Sequence, residues 1–387
     1  MTDVMTDVLT DHPASGSLAS PSDDATGPGA GDAPRPADAL ADELFTAALS
    51  SLELATVHLG LTLGLYAGLR DHGPCAPAEL AHHTALDERY VREWLEQQAM
   101  AQLVTCLDPD TDPAARRYAL PPAAVSALLD ETDPAYLGPL AHLAVGALLA
   151  VRDVERVYRD GTGVPFDRYG AEVRHGLGRL NGASFDRSLV DWIAAMPDVE
   201  EVLRTGARPR ILDLGCGTGR SALAMARAYP RAEVRGVDLD VASVEEARRA
   251  AAEAGLADRV TFSVGDAADL GPDGSYHLVT ILEALHDMGD PVGALRAARH
   301  RLADGGAVLV ADQLTRDRFV PDGDPLERFQ YGCSVLHCLP ATRAEDHVVA
   351  HGTVIRPGTV DAWARDAGFA GAAILDVEDP FWRFYRL

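Results

Sequence analysis

The sequence predicts an α/β protein, with a parallel sheet in its C-terminal half behind a mostly helical N-terminal region. Three observations carry this expectation. From Arg210 onward, short β-branched runs alternate with Ala/Arg-rich segments, the pattern of strands joined by crossover helices. Between Ala39 and about Pro122, apolar residues recur at helical spacing and only two brief runs read as strands. The 387 residues, 47% of them hydrophobic, suffice for more than one domain and a large core.

Residues 1–36 are rich in Asp, Ser, Pro, Ala and Gly and repeat Met-Thr-Asp-Val, which predicts a disordered tail. Leu54–Leu69 reads as an apolar helix, Pro77–His83 opens a second, and Asp87–Leu103 forms a third. Val104–Leu107 and Arg117–Leu120 follow as two strands across a Pro/Asp turn. Three helices and a two-stranded wing make a winged helix, assigned to residues 37–133. Such a module can offer its third helix to DNA. Here, however, five arginines face ten carboxylates between Glu53 and Pro122, and the whole chain carries a net charge of −25. That balance repels phosphate, so dimerisation and lid roles are expected and nucleic acid is not an expected partner.

Residues 134–205 read as helical, interrupted by a glycine-rich loop from Asp160 to Gly170, and are assigned to a linker and substrate-pocket region. The sheet domain then occupies 206–387. Its strands are expected at Ile211–Leu214, Glu233–Val237, Val260–Val264, His277–Leu282, Ala307–Ala311, Ala373–Val377 and Trp382–Tyr385.

Composition excludes several classes. Five scattered cysteines argue against a disulfide framework and for a reducing, cytoplasmic setting. No basic segment followed by an apolar run opens the chain, and the apolar stretch Tyr136–Val151 contains His142 and is too short to cross a bilayer, so no membrane association is expected. All 34 basic residues are arginine, which rules out a lysine Schiff base or lysine general base. Cys333, His337, Cys338, His347 and His351 lack zinc-site spacing, and no metal is expected.

The strand ending at Leu214 runs into Asp213-Leu214-Gly215-Cys216-Gly217-Thr218-Gly219, where glycines permit a sharp turn and close approach of a ligand. Arg220 stands where a dinucleotide-binding fingerprint wants glycine. Asp238 closes the second strand, placed to accept from two ribose hydroxyls, and Asp266 follows the third, placed to accept from an adenine amine. Residues 211–283 resemble the Rossmann-like core of class I methyltransferases. The resemblance implies S-adenosylmethionine as cofactor, with Asp213, Gly215, Gly217, Asp238 and Asp266 on that family's cofactor positions and Cys216, Leu239, Ala267 and Glu283 beside them. With the winged helix, residues 40–387 resemble two-domain small-molecule methyltransferases, including the plant O-methyltransferase type and a largely actinobacterial group. Tyr331-Gly332-Cys333-Ser334, Gly352–Pro357 and Arg383–Leu387 extend the likeness to that group.

In the plant type a histidine followed by aspartate takes the acceptor's hydroxyl proton, and His286-Asp287 matches that pair. An imidazole titrating near neutrality suits a phenol or enol, and a carboxylate on its far nitrogen would fix the tautomer. The chain departs from the plant type at Met288, where that type has tryptophan, and the further acids that steady its histidine have no assigned counterpart. His286 could instead pack or steer. Substrate contacts are expected from Tyr169, Asn181, Phe185 and Trp192, and from Tyr331, His337 and Arg356 in the insertion after the fifth strand. The expectation is methyl transfer to a small, secondary-metabolite-type acceptor, with O-methylation first. C- or N-methylation and a non-methylating or regulatory role are the alternatives. A homodimer built on the apolar helices around Leu44–Leu69 is also expected.

Overall fold

A computed structural model describes residues 36–271, 274–321, 323–345 and 349–387. The tail expected over 1–36 lies outside these residues except for Pro36, as does His347. Contacts divide the described chain at Ala55, with Thr56–Leu387 as one unit and the residues before it in another. Helix Gly170–Ala194 packs on Pro139–Leu149 on one side and on Arg220–Ala228 of the sheet domain on the other, which merges the intervening region with both neighbours.

The described part of the first unit is the leading stretch of helix Ala37–Thr62, whose Leu40, Leu44, Phe45, Leu49 and Leu52 are exposed. The helix expected over Leu54–Leu69 begins at Ala37 and stops at Thr62. Gly64, left-handed at φ 70°, turns the chain before a new helix starts at Leu65. Ala37–Thr62, 26 residues with an 18-residue window of mean hydropathy 1.4, is also long and apolar enough to cross a membrane by length and composition, which the sequence reading overlooked.

The winged helix follows with helices Leu65–His72, Pro77–Thr84 and Glu88–Met100 and strands β1 (Thr105–Cys106) and β2 (Tyr118–Ala119). Asp87 caps the third helix by accepting from the Arg89 and Tyr90 amides. Buried Tyr66 donates to Gln98, and Trp94 Nε1 donates to the Thr56 carbonyl at 3.0 Å, so both of these core side chains have partners.

Seven strands build the main sheet: β3 (Arg210–Leu214), β4 (Glu233–Asp238), β5 (Val260–Val264), β6 (Tyr276–Leu282), β7 (Leu302–Gln313), β8 (Ala373–Ile374) and β9 (Trp382–Arg386). Their order is β5-β4-β3-β6-β7-β9-β8. The first five are parallel, while β9 runs antiparallel between β7 and β8. Leu212, Leu214, Val279, Ile281, Val308 and Val310 face one helical layer, and Ile211, Val234, Leu278 and Leu309 face the other, which explains the near-continuous apolar runs. Crossovers leave β3 toward β4 and return from β5 to β6, so a crevice opens at the carboxyl ends of β3 and β6, where ligands of open α/β sheets bind.

Candidate active site

The glycine loop is fastened to its neighbours before any ligand arrives. The Gly215 and Cys216 amides donate to the Val237 carbonyl at 2.9 and 3.2 Å, and Gly217 donates to the Asp238 carboxylate at 2.7 Å. A Cβ on Gly215 would sit 2.5 Å from the Ala284 side chain, so the turn after β3 presses directly on the segment after β6. Above Gly217 there is open space.

The acidic residues split into two kinds. Asp213 lies beneath the loop, 1% exposed, accepting from Ser221 Oγ at 2.5 Å and Thr280 Oγ1 at 2.7 Å. Burial pushes its carboxyl up to about 6 despite those bonds. The contact expected from its position is thus taken by protein hydroxyls, and it acts as the loop's anchor. Asp238 is half-buried at the rim, accepting also from the Asp240 amide, and burial raises its pKa. Asp266 is exposed beside buried Ala267 and accepts from the Ala268 amide at 2.8 Å. Leu239 and Val264 stand exposed at these same strand ends. Cys216 turns its thiol into the core against Gly236, leaving only its backbone for a ligand.

Glu283 departs from expectation. It adopts a left-handed φ of 56°, and its carboxylate accepts from Gln313 and from Trp382 Nε1. Burial pushes its pKa to about 7. Its carboxylate thus ties the end of β6 to β7 and β9 and is turned away from the cofactor role assigned from sequence.

Three residues on, His286 is 2% exposed in a 3-10 turn, Leu285–Asp287. Its Nδ1 lies 2.8 Å from Asp312 Oδ1, and its amide donates to the other Asp312 oxygen at 3.3 Å. Asp312, fully buried at the end of β7, therefore holds the far ring nitrogen, the steadying acid for which the sequence offered no counterpart. Asp287 sits on the opposite side, with Oδ1 3.4 Å from Nε2. That oxygen is buried and has no hydrogen-bond partner. Burial opposes protonation of His286, yet Asp287 and Asp312 outweigh it and hold the imidazole pKa well above its usual value. The signal for Asp312 was available: it is an acid at the carboxyl end of the fifth parallel strand, the criterion already applied to Asp213, Asp238 and Asp266.

Of the seven expected substrate residues, the structure brings His337 to this histidine. His337 belongs to a π-helical turn, Ser334–Cys338. Cys338 Sγ, 3.5 Å from its Nδ1, falls with the His286 and Asp287 ligand atoms inside a 4.8 Å group. That cluster was invisible to the zinc-spacing argument, and the site holds metal-type donors despite it. Four expectations are corrected to packing or structural pairing. Tyr169 is buried, its hydroxyl donating to the Leu336 carbonyl at 2.9 Å. Phe185 and Trp192 join Trp382 and Phe384 in an aromatic cluster of the core. Arg356 is committed to Glu327 at 3.1 Å and to the Arg316 carbonyl. Tyr331 accepts from Arg356, and Asn181 is half-buried in its helix.

A methyltransferase domain model matches residues 211–306, and an Rv2258c-like winged HTH domain model matches 50–129. The ubiquinone biosynthesis O-methyltransferase of Pseudomonas paraeruginosa is 31% identical over 183 residues, 46% of this chain and 72% of that protein. The chain belongs to the class I S-adenosylmethionine-dependent methyltransferases. Another relative is the 27-O-demethylrifamycin SV methyltransferase of Amycolatopsis mediterranei, 35% identical over 150 residues. The match covers 38% of this chain and 53% of that relative, so this methyltransferase spans about half its length. The structure of human N-acetylserotonin methyltransferase in complex with S-adenosylmethionine superposes with a TM-score of 0.62 at 16% identity, covering 92% of this chain and 99% of the human one, which shows the shared fold.

The cleft's chemistry suits that cofactor. Asp238, Asp266, Asp287 and Glu345 share one field: burial, then those three acids, push the Glu345 carboxyl up to about 7. A ligand bearing a sulfonium and an ammonium relieves that crowding.

Proposed function

We propose that this methyltransferase methylates a hydroxyl of a small-molecule acceptor, with His286 as the base. The observation that carries the reading is a buried histidine beside the cofactor crevice, held through Nδ1 by Asp312, with Nε2 3.4 Å from Asp287 Oδ1. Bound S-adenosylmethionine supplies an electrophilic methyl group on a sulfonium. Asp238 would hold its ribose, Asp266 its adenine amine, and the amides around Gly217 its amino-acid end. The remaining work falls to the protein. It holds the acceptor oxygen in line, excludes water, and receives the hydroxyl proton at His286 Nε2 while Asp312 stabilises the imidazolium.

The raised imidazole pKa gives the pairing two equivalent proton inventories: a neutral imidazole meeting a phenol, or an imidazolium meeting a phenolate. Either favours oxygen acceptors of acidic character. Mass analysis of products from a panel of phenols, amines and carbon acids tests this. Products carrying the methyl only on nitrogen or carbon would transfer the assignment to the alternative in which His286 merely steers.

We further infer a cytoplasmic homodimer formed through helix Ala37–Thr62. Its exposed Leu44, Phe45 and Leu52 make an apolar surface of the kind that marks association. A monomer by light scattering at micromolar concentration would refute it. Nucleic acid is an unsuitable partner, because four of the five winged-helix arginines are spent on Asp71, Glu93, Glu96 and Glu79.

A further inference from the structure

His286, Asp287 and Cys338 come from two elements, the turn after β6 and the π-helical turn Ser334–Cys338, and each brings a ligand atom within 4.8 Å of the others. Single π turns occur often at functional sites. The donors are an imidazole nitrogen, a carboxylate oxygen and a thiol sulfur, a mixture that suits zinc(II). His286 Nε2 and Asp287 Oδ1 are 3.4 Å apart. Tetrahedral zinc, with bonds of about 2.0–2.3 Å, separates neighbouring ligand atoms by roughly 3.3–3.8 Å. The nitrogen and the oxygen already stand at that spacing, and the sulfur has about 1 Å to close.

The surroundings fit a cation. Asp312 takes His286 Nδ1 at 2.8 Å, which leaves Nε2 as the coordinating nitrogen, and a carboxylate on the far ring nitrogen is the usual company of a zinc-bound histidine. Asp287 Oδ1 is buried without a hydrogen-bond partner, a cost that a bound cation removes. His337 Nδ1 lies 3.5 Å from Cys338 Sγ, placed to donate to a thiolate, and Tyr169 and Phe166 pack edge-on against that ring. Burial pushes the Cys338 thiol up to about 11, so it keeps its proton until a coordinated ion displaces it. Asp287 itself is only half-buried, which gives an ion an approach past its carboxylate.

We propose that His286 Nε2, Asp287 Oδ1 and Cys338 Sγ form a site for one zinc ion, whose binding switches methyl transfer off. Three bonds form, to nitrogen, oxygen and sulfur, and the fourth tetrahedral position goes to water. The Cys338 proton leaves to solvent, as does the His286 Nε2 proton where the ring carries one, and no electron is transferred. The lone pair on Nε2 is then held by the metal and cannot receive a proton from an acceptor hydroxyl. The switch rests on the reading of His286 as the base; the site itself does not.

The full chain, stripped with chelator, is dialysed against zinc alone. One ion per chain should be retained, and cobalt(II) in its place should show thiolate-to-cobalt charge-transfer absorption. Cys338→Ser should abolish that absorption and weaken zinc binding by at least about 100-fold, and Asp312→Asn, which loosens the imidazole, by about 10- to 100-fold. With a phenol from the product panel as acceptor, one equivalent of zinc should remove most of the turnover of the unsubstituted chain, and chelator should restore it. Cys338→Ser should keep whatever turnover it has at the same zinc level. No retained ion, or a cobalt adduct of the unsubstituted chain without the thiolate absorption, overturns the site whether or not the variants fold. So does an affinity that Cys338→Ser leaves unchanged, which would place the ion elsewhere. Zinc that binds yet leaves turnover unchanged or raised overturns the switch. Failure of the base reading looks different: zinc-free His286→Ala would turn over at a near-normal rate.

Discussion

At the residue scale the site turns on a histidine between two carboxylates. His286→Ala should leave cofactor affinity nearly unchanged and lower turnover by about 100- to 10,000-fold, the usual share of a general base. A folded alanine variant with near-normal turnover would remove the base role. Asp312 is a positioning residue, and its test is a pH profile. Because the imidazole pKa is raised, the neutral base accumulates only well above pH 6.5, and the rate should climb with pH through that raised value. In Asp312→Asn the raising partner is lost, so the acidic limb should move to lower pH while the maximal rate falls by roughly 100-fold or more. A limb that stays in place would show that Asp312 does not face the titrating nitrogen. The sequence exposed His286 through its neighbour Asp287 but left the further acid unassigned, the place that Asp312 fills. Adjacency along the chain was legible. The pairing of β6 with β7, which carries Asp312 across to His286, was not.

At the scale of elements, what the sequence displayed best were strand ends. Asp213, Asp238 and Asp266 each follow a short apolar run, and period-two or all-apolar runs bounded by turn residues are local signals. What these acids bind is a matter of packing, which is why Asp213 proved an anchor: Ser221 and Thr280 come from a helix and from a neighbouring strand. The same limit explains Phe185 and Trp192, whose aromatic rings suited a pocket but close the core against Trp382. Asp238→Ala should weaken S-adenosylmethionine binding by roughly 1.5–3 kcal/mol, the scale of lost charge-assisted hydrogen bonds. Unchanged affinity by calorimetry would exclude the ribose contact. Ser221→Ala should instead cost stability, about 1–3 kcal/mol, because it strips a partner from a buried carboxylate. A drop in denaturation midpoint with little change in cofactor affinity would confirm the anchor.

For the whole molecule, buried Asp213 and half-buried Glu283 and Glu345, whose pKa values desolvation raises to about 6, 7 and 7, set the response to acid. In the unfolded chain such groups titrate near 4. The native state therefore binds protons that the unfolded state does not, and the stability this contributes is complete at low pH and lost as pH rises through 6 to 7. The ligand-free protein should melt at higher temperature at pH 5.5 than at pH 8, and cationic S-adenosylmethionine should narrow the difference. A melting temperature that falls on acidification across that window would mean these groups stay ionised in the native state.

The antiparallel β9, inserted between β7 and β8, has a consequence for how this chain is made. Twelve-residue β7 leaves the ribosome before residues 382–386 exist to pair with it, and until then its Val308–Ala311 run is an open, apolar sheet edge. The same late segment delivers Trp382 to Glu283, so the turn that presents His286 is secured only when synthesis reaches β9. Nascent chains halted before Trp382 should be bound by chaperones and cleaved readily by protease, even with every residue of the cofactor loop already translated.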